Sequence, residues 1–408
     1  MNLAHRACRV RAPYRVEVGA VFSRDGVERG PHVLTVLRDG RWTLRRAGPA
    51  EHSGPPVAVS LPDAVVAPAL TDAHVHPHPG MDFGAFLRYG IARIRDLGSL
   101  PDAVPPLRGC AVPVPEVVRC GALLDSPGPP RFWLATPWRN ADDLPGVLDA
   151  AVRRDGSWLK LYAGFPPELY GVVVPLAHER GLRVALHPAP GTVEPALRAG
   201  VDEIEHLGCL VPGELGGPRG THHANRVWAA RSPEDTWPVL PPGTVLCPTL
   251  VVQRRLVVHA AEQWAFTGIE PGLAAFWRRM AVASRPWTTA ELRAAERAEK
   301  EMGAVVRRLV ESGVRLVVGS DTPNPGVLPG AGLWEELNLL GAAGLDPARL
   351  YRTASVTGEG LATAGTESLA FLPLTSFNAF LRGHPYPVEP VTATLFGGCL
   401  FTPPAASG

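Results

Sequence analysis

The chain has 408 residues, of which 46% are hydrophobic and 19% are charged, a composition typical of a globular protein with a large core. Its 40 Lys and Arg residues nearly balance 39 Asp and Glu residues, and the net charge of +1 gives no electrostatic footprint for nucleic acid or an anionic membrane. No apolar run approaches the roughly 20 residues of a membrane-spanning helix. We therefore expect a small-molecule or short-peptide substrate, with no nucleic acid and no membrane as partner.

The N-terminus is basic, but no apolar segment of signal-peptide length follows it, which predicts a cytoplasmic protein. The cysteines are scattered without a CxxC pair: Cys8, Cys110, Cys120, Cys209, Cys247 and Cys399. This pattern predicts reduced thiols and argues against a disulfide framework or a zinc ribbon.

Short alternating runs from Tyr14 to about Val59 predict a small antiparallel sheet. The dipeptide Asp39-Gly40 lies between two of these runs and suits the positive φ angles of a tight hairpin turn. A similar pattern returns from about Ala370 to Phe401. We expect the two distant segments to form one β domain.

Between these segments, candidate strands alternate with helical stretches, which is typical of a parallel sheet. Eight strands are predicted: AVVAPAL ending near His74, GIARIRD near Asp96, VPEVVRC near Cys120, SWLKLY near Lys160, LRVALH at His187, VDEIEH at His206, TVLCPTL near Leu250 and VRLVVGSD at Asp321. Eight βα units favour an α/β fold with a closed barrel.

Three stretches interrupt this rhythm: DSPGPPRFWLATPWRN after strand three, GCLVPGELGGPRGTHHANRVW after strand six, and the segment from Val251 to about Pro286 after strand seven. All three follow the carboxyl ends of strands, where barrel enzymes build their sites. We predict that they are substrate loops.

The sequence TDAHVHPH supplies the strongest local signal. His74 and His76 are two residues apart at the end of an apolar strand, so both side chains point to the same side and could bind one divalent transition metal. Taken alone, the pair could equally be two ordinary core or surface histidines.

Further candidate ligands stand at the ends of later predicted strands: Lys160 in WLKLY, His187 in VALHPAP, His206 in EIEHLG and Asp321 in VVGSDTP. In a barrel these positions converge on one mouth although they are far apart in sequence. The pattern therefore predicts a shared metal site.

The motifs DAHVHPH, LKLY, LHPAP, EIEHLG and GSDTP together resemble the amidohydrolase superfamily across about Val65 to Ala364. CPTL and the segment LWEELNLLGAAGLDPARLYRTASVTGEGLA resemble its imidazolonepropionase-like and Xaa-Pro dipeptidase-like branch. The resemblance implies a (β/α)₈ TIM barrel over residues 65–365. It also implies a small composite β-sandwich domain formed by residues 1–64 and 366–408.

The resemblance also implies a ligand set. His74 and His76 would bind one divalent ion, His187 and His206 a second, and both ions are expected to be zinc. A carboxylated Lys160 would bridge them, and Asp321 would bind metal and act as proton shuttle. The implied reaction is hydrolysis of an amide, peptide or cyclic amide C–N bond by a metal-bridging hydroxide.

Two alternatives stay open. A mononuclear deaminase or cyclic imine hydrolase would use no bridging lysine, whereas a free Lys160 ammonium within the apolar strand WLKLY would be costly to bury. The chain also has no glutamate three residues after His187, where some deaminases place a proton shuttle. A catalytically inactive barrel serving as a binding or assembly protein would be expected to lack ligands, and all six positions are filled.

The substrate contacts are the least defined part of the prediction. Arg254 and Arg255 follow CPTLVVQ and could bind a substrate carboxylate, and Tyr162, Trp133 and Trp138 could line an apolar pocket. Ala189 stands where many relatives have a second histidine, and His222 and His223 match no family motif. The chain could also form a homo-oligomer.

Overall fold

The computed structural model describes residues 12–48, 54–100, 102–104, 114–129, 133–215, 220–232 and 234–403. Its strands are β1 (Tyr14–Ser23), β2 (Gly26–Val36), β3 (Trp42–Arg46), β4 (Val57–Pro68), β5 (Leu70–Val75), β6 (Ile91–Asp96), β7 (Glu116–Val118), β8 (Cys120–Leu124), β9 (Trp158–Leu161), β10 (Arg183–Leu186), β11 (Glu203–Glu205), β12 (Val245–Cys247), β13 (Arg315–Leu316), β14 (Ala364–Gly365), β15 (Leu369–Pro373), β16 (Ala393–Phe396) and β17 (Cys399–Phe401). Its helices are α1 (Phe83–Arg88), α2 (Leu144–Arg153), α3 (Tyr170–His178), α4 (Val193–Ala199), α5 (Thr221–Ala230), α6 (Leu250–Ala261), α7 (Pro271–Arg278), α8 (Thr289–Glu311), α9 (Ala331–Ala342), α10 (Pro347–Ala354) and α11 (Leu374–Leu381).

Two findings concern the possible membrane helices and the cysteines. Among the described residues, the helices are too short or too polar to cross a bilayer. Cys120, Cys209, Cys247 and Cys399 are free thiols, as expected, while Cys8 and Cys110 lie outside the described residues.

The central part of the fold is α/β, as predicted. Strands β8 to β13 pair in chain order as a six-stranded parallel sheet, and β5, β6 and β7 form a second parallel sheet. Helices lie between successive strands, the longest being α8 before β13. Helix α8 buries Met302, Val306 and Leu309, which lie three and four residues apart and so share one helical face. Thr288 and Glu291 begin α8 with a capping box, which satisfies backbone N–H groups of its first turn.

Backbone hydrogen bonds connect the two parallel sheets. The segment after β13 lies between the two sheets. Its Val317 N–H donates to Leu246 O of β12, and its Val318 O accepts from Ala73 N–H of β5. Asp321 N–H also donates to His74 O. At the other junction, β7 and β8 are separated by Arg119 alone. The described ladders themselves are two sheets rather than one closed eight-stranded ring.

The predicted first barrel strand requires a correction. Most of AVVAPAL belongs to β4, which pairs with β1 and β15 outside the parallel sheets. The chain leaves that pairing at Ala69, whose N–H donates to Ser368 O, and β5 then carries His74.

The N-terminal and C-terminal segments form one eight-stranded sheet in the order β14-β3-β2-β1-β4-β15-β16-β17. The β1 and β4 pair is parallel and the other pairs are antiparallel. The turn at Asp39-Gly40 joins β2 to β3 as predicted, with Gly40 at φ 84°. The described strands make a single sheet where a sandwich was expected, and the domain limits stay a prediction, since β4 continues across residue 64.

Strand β4 joins the flanking sheet to the central part. Because successive side chains of a strand point to opposite faces, Val65 and Ala67 pack into the main core, whereas Ala64 and Val66 pack into the core of the flanking sheet. The flanking sheet is therefore attached through an apolar face just upstream of the first histidine pair.

Candidate metal centre

The carboxyl ends of the parallel strands bring the predicted ligands together. His74 lies in β5 with His76 just beyond it, Lys160 lies in β9, and the three others follow β10, β11 and β13. In the ladder Ala185 pairs with both Lys160 and Glu203, so these three residues face the same side of the sheet. The small alanine leaves room there for long polar side chains.

The tightest group consists of His74, His76 and Asp321. The Nε2 atoms of the two histidines are 3.3 Å apart, and Asp321 Oδ1 lies 3.4 Å from His74 Nε2 and 3.3 Å from His76 Nε2. Asp321 Oδ1 is buried without a hydrogen-bond partner. Three donor atoms therefore surround one point.

A second group adjoins the first. The His206 ring lies 4.8 Å from that of His74 and 4.4 Å from that of His187, and its Nδ1 is 3.6 Å from Asp321 Oδ2. Lys160 is fully buried, and its Nζ has no hydrogen-bond partner. The fold thus collects all six predicted ligand positions at one end of the parallel strands.

Outer partners fix the orientation of the imidazole rings. Glu205 Oε2 lies 2.7 Å from His74 Nδ1, Gly98 O lies 2.8 Å from His76 Nδ1, and Thr249 Oγ1 lies 2.9 Å from His206 Nδ1. These contacts leave both Nε2 atoms of the first pair directed at Asp321. Carboxylates and carbonyls in this position orient metal-binding histidines in general.

Electrostatics keeps most of these rings neutral. Burial lowers the pKa of His187 to about 3, with the nearby Lys160 charge adding to the effect. Burial also holds the pKa values of His74 and His206 well below the usual range. For His76 the opposing effect of burial is outweighed by the adjacent Asp321 carboxylate, which raises its pKa. Neutral imidazole is the form that binds metal.

Backbone conformation is unusual at the same place. His206, Thr249 and Asp321 have φ angles of 59°, 49° and 58°, in the left-handed region that non-glycine residues seldom adopt. Such strained positions concentrate at functional sites, where the surrounding structure holds them. His206 directly follows β11, Thr249 lies two residues after β12, and Asp321 lies five residues after β13.

The donor set fits a divalent transition metal. Ligands at the corners of a tetrahedron with bonds of about 2.0–2.1 Å lie about 3.3–3.4 Å apart. The observed separations within His74, His76 and Asp321 are 3.3 to 3.4 Å. Two neutral nitrogens and one carboxylate oxygen are also a suitable ligand chemistry for zinc.

A cavity of about 620 Å³ opens over these ligands, and residues from all three predicted substrate loops line it. Tyr162 and Trp133 lie in its wall, as expected. Trp138 does not: it is buried, stacks on Phe165 and donates its Nε1–H to Asp125 O.

The two arginines have other partners. Arg254 contacts Glu299 at 2.6 Å, and Arg255 makes a two-pronged ion pair with Glu335. Neither is among the described residues of the cavity wall. Their expected contact with a substrate carboxylate is thus not favoured, because glutamates of α8 and α9 already bind both guanidinium groups.

Sequence reasoning missed several residues that support the ligands. Glu205 and Thr249 contact the histidines, Asp72 accepts hydrogen bonds from the backbone of His74 and from Ser320, and Cys209 Sγ lies 3.6 Å from His187 Nε2. Glu205 carried the clearest signal, since it immediately precedes a predicted ligand at the end of the predicted strand VDEIEH.

Several solved protein structures superpose on nearly the whole chain. No protein-family profile and no curated sequence matches the chain. A solved structure of a bottromycin amidohydrolase superposes with a TM-score of 0.70 at 23% identity, covering 98% of this chain and 88% of that one. The chain has the fold of an amidohydrolase.

Two further solved structures have a similar fold. A Xaa-Pro dipeptidase with methionine bound in its active site has a TM-score of 0.63 at 15% identity, with 96% of this chain and 100% of that chain covered. A zinc-bound adenosine deaminase from Xanthomonas campestris has a TM-score of 0.57 at 13% identity, covering 95% and 92%.

Proposed function

We propose that the protein is a metal-dependent hydrolase that cleaves an amide, peptide or cyclic amide C–N bond. The observation that carries this proposal is the spacing of His74 Nε2, His76 Nε2 and Asp321 Oδ1, which matches the corners of a metal-centred tetrahedron. The fold it shares with a bottromycin amidohydrolase and a Xaa-Pro dipeptidase supports the reaction class.

The proposed centre holds two divalent ions, with zinc as the expected metal. His74, His76 and Asp321 would hold one, and His187 and His206 the other. Lys160 would bridge them as a carbamate, formed when its amine nitrogen bonds to the carbon of CO₂ and the original ammonium releases two protons. Its full burial and the absence of a hydrogen bond to its Nζ support this role, because a buried ammonium is costly to take out of water.

Bound divalent metals lower the pKa of water and polarise a carbonyl oxygen. In this proposal Asp321 takes the proton of the attacking water and returns it to the departing nitrogen, so that it acts first as base and then as acid. Burial alone would raise the pKa of Asp321, but its interactions with the neighbouring His74 and His76 outweigh that effect and lower the pKa, so the carboxylate is ionised and can accept a proton.

The finer architecture belongs to the same proposal. The hydrogen bonds from Val317 and Ala73, together with the single residue between β7 and β8, support a closed (β/α)₈ barrel built from the two parallel sheets. The composite β-sandwich would then be the flanking eight-stranded sheet folded on itself.

One contact favours the mononuclear alternative. Lys160 Nζ lies 3.6 Å from Glu205 Oε1, and both residues are fully buried. An ion pair at this position would keep Lys160 as an ammonium and leave one metal, as in a deaminase or cyclic imine hydrolase. A catalytically inactive barrel is the third reading, and the filled ligand positions count against it.

Metal content and carbamate chemistry separate these readings. The chain has only two lysines, Lys160 and the exposed Lys300, so ¹³C-bicarbonate labelling followed by NMR has a matched control within the chain. We expect two metals per chain and a carbamate signal that Lys160→Ala removes and Lys300→Ala keeps. One metal unaffected by Lys160→Ala would favour the mononuclear enzyme, and no metal after reconstitution would favour the inactive barrel.

Asp321→Asn tests the proton shuttle on the same samples. The amide keeps an oxygen donor but cannot accept the proton, so turnover of a panel of dipeptides, N-acyl amino acids and their carboxamides should fall at least about 100-fold while metal is retained. Turnover close to that of the parent would refute the role of Asp321.

A further inference from the structure

The cavity over the ligands has a size suited to a small peptide. Its volume of about 620 Å³ lies within the range of about 300–1,000 Å³ that is usual for small-molecule sites. His187, His206 and Asp321 line its floor, and the three loops form its wall. What the wall offers to a ligand therefore bears directly on the substrate.

Charge is nearly absent from the described part of this wall. Among the described lining residues, Asp321 is the only Asp, Glu, Lys or Arg, and it belongs to the floor. Burial lowers the pKa of His222, which keeps its ring neutral near pH 7. The Nε2 of His223 lies 2.9 Å from Leu215 O, to which it donates. Against the described wall above the metal ligands, a substrate carboxylate would lose water without gaining a Lys or Arg side chain, which is costly.

The outer wall is instead apolar and aromatic. Phe276, Met280 and Val282 line it together with Trp133, whose residue surface is 46% exposed. The Trp133 and Phe276 rings are 6.0 Å apart and nearly perpendicular, and Phe276 is also 5.0 Å from the ring of His78. An exposed large aromatic residue beside an apolar surface is typical of a binding site.

From these two features we propose a substrate class: amides that carry no charge next to the scissile bond and that bear a bulky apolar group packed against Trp133 and Phe276. This inference rests on the proposed function. It excludes dipeptides with a free carboxylate beside the scissile bond as preferred substrates and favours peptides that are blocked or continue beyond it.

Matched substrates test the charge and the side chain separately. The metal-loaded protein is assayed with N-acetyl-Phe-Ala and N-acetyl-Ala-Phe, each as carboxamide and as free acid, and with N-acetyl-Ala-Ala carboxamide. We expect kcat/KM at least tenfold higher for the carboxamides than for the acids, and at least tenfold higher with Phe than without it. Equal or faster cleavage of the free acids would overturn the proposal. The assay uses the full chain, so its result also includes any effect of Arg131 and Arg219 on substrate charge preference. Both residues lie outside the described part of the structure.

Variants then assign the apolar contact. Phe276→Ala and Trp133→Ala should reduce the advantage of Phe over Ala at least fivefold, mainly through KM, with metal content unchanged. Val239→Ala is the matched control, since Val239 is 72% exposed and does not line the cavity. A preference for Phe that survives both aromatic variants would overturn this part.

A binding measurement keeps the inference separate from the proposed function. Metal-loaded Asp321→Asn is titrated calorimetrically with N-acetyl-phenylalanine amide and with N-acetyl-phenylalanine. Tighter binding of the amide would support the substrate class even if no substrate were cleaved, a result that would count against the proposed function alone. Tighter binding of the acid would overturn the inference.

Discussion

The centre of the parallel sheets and the flanking sheet bury very different side chains. The charged side chains in and around the ligand set are buried, each no more than 6% exposed: Lys160 itself, Arg95, Glu203 and Glu205. The described strands of the flanking sheet bury Tyr14, Trp42 and Phe371, but none of their buried positions is Asp, Glu, Lys or Arg. Buried charge is costly unless it is paired, so the charged groups of the first region hold the ligands in position but lower the stability of the fold. The flanking sheet stabilises the fold through apolar packing.

The pairing within the charged region is extensive. Arg95 binds Glu203 through two nitrogens, donates its Nε–H to Ala73 O and lies 4.3 Å from the Trp158 ring centroid. Glu205 stands between His74 and Lys160, within 3.9 Å of Arg95. The charges thus form a chain that ends at a candidate metal ligand.

The largest expected effect breaks this network. Arg95→Met should destabilise the protein by about 3–5 kcal/mol, because it leaves Glu203 buried without its cation. Denaturant unfolding measures the loss. The double variant Arg95→Met/Glu203→Leu should recover most of it but bind metal more weakly. A single variant as stable as the parent would show that Glu203 does not need the Arg95 cation to stay buried.

A matched change in the flanking sheet should separate stability from the site. Leu369 in β15 is fully buried in the core of the flanking sheet. Leu369→Ala should cost about 3 kcal/mol through lost apolar burial and a cavity. Metal content and affinity should stay those of the parent, which metal titration of the folded protein would check. A loss of metal affinity would show that the two regions are coupled.

The smallest expected effect concerns pH. Burial raises the pKa of Glu336 from 4.5 to about 8, although it accepts a hydrogen bond of 2.7 Å from Val251 N–H. The folded state therefore holds this proton more tightly than the unfolded chain, and the associated stability is lost as pH rises from about 4.5 to 8. Glu336→Gln removes the titration, so the parent should lose on the order of 2–3 kcal/mol more than the variant between pH 5 and 8. Parallel stability curves in urea melts would contradict the assignment.

The sequence located the candidate ligand positions better than the residues that support them. His74 and His76 follow from the two-residue period of a strand, and Lys160, His187, His206 and Asp321 follow from their positions at strand ends. The roles of Glu205 and Asp72 depend on which strands are neighbours and in which register, and a single chain does not state this. The same limit misplaced Arg254 and Arg255, whose partners Glu299 and Glu335 come from helices far along the chain.

The fold class followed from the alternation of strand and helix patterns, whereas the boundary at the first strand did not. AVVAPAL is apolar on both faces because β4 packs against two cores, and such a run reads like an inner barrel strand. Where one strand ends and the next begins was decided at Ala69 by a hydrogen bond to Ser368, about 300 residues away in sequence.

The pairing of β4 with β15 also sets an order of events during synthesis. Leu369 pairs with Pro68 and Phe371 with Val66, so the open edge of β4 waits until nearly the whole chain has left the ribosome. Until then the nascent chain exposes one unpaired edge of the apolar strand β4, immediately before the first histidine pair. Such an edge can pair wrongly with another strand. Chaperone protection during translation would therefore matter most for this early strand.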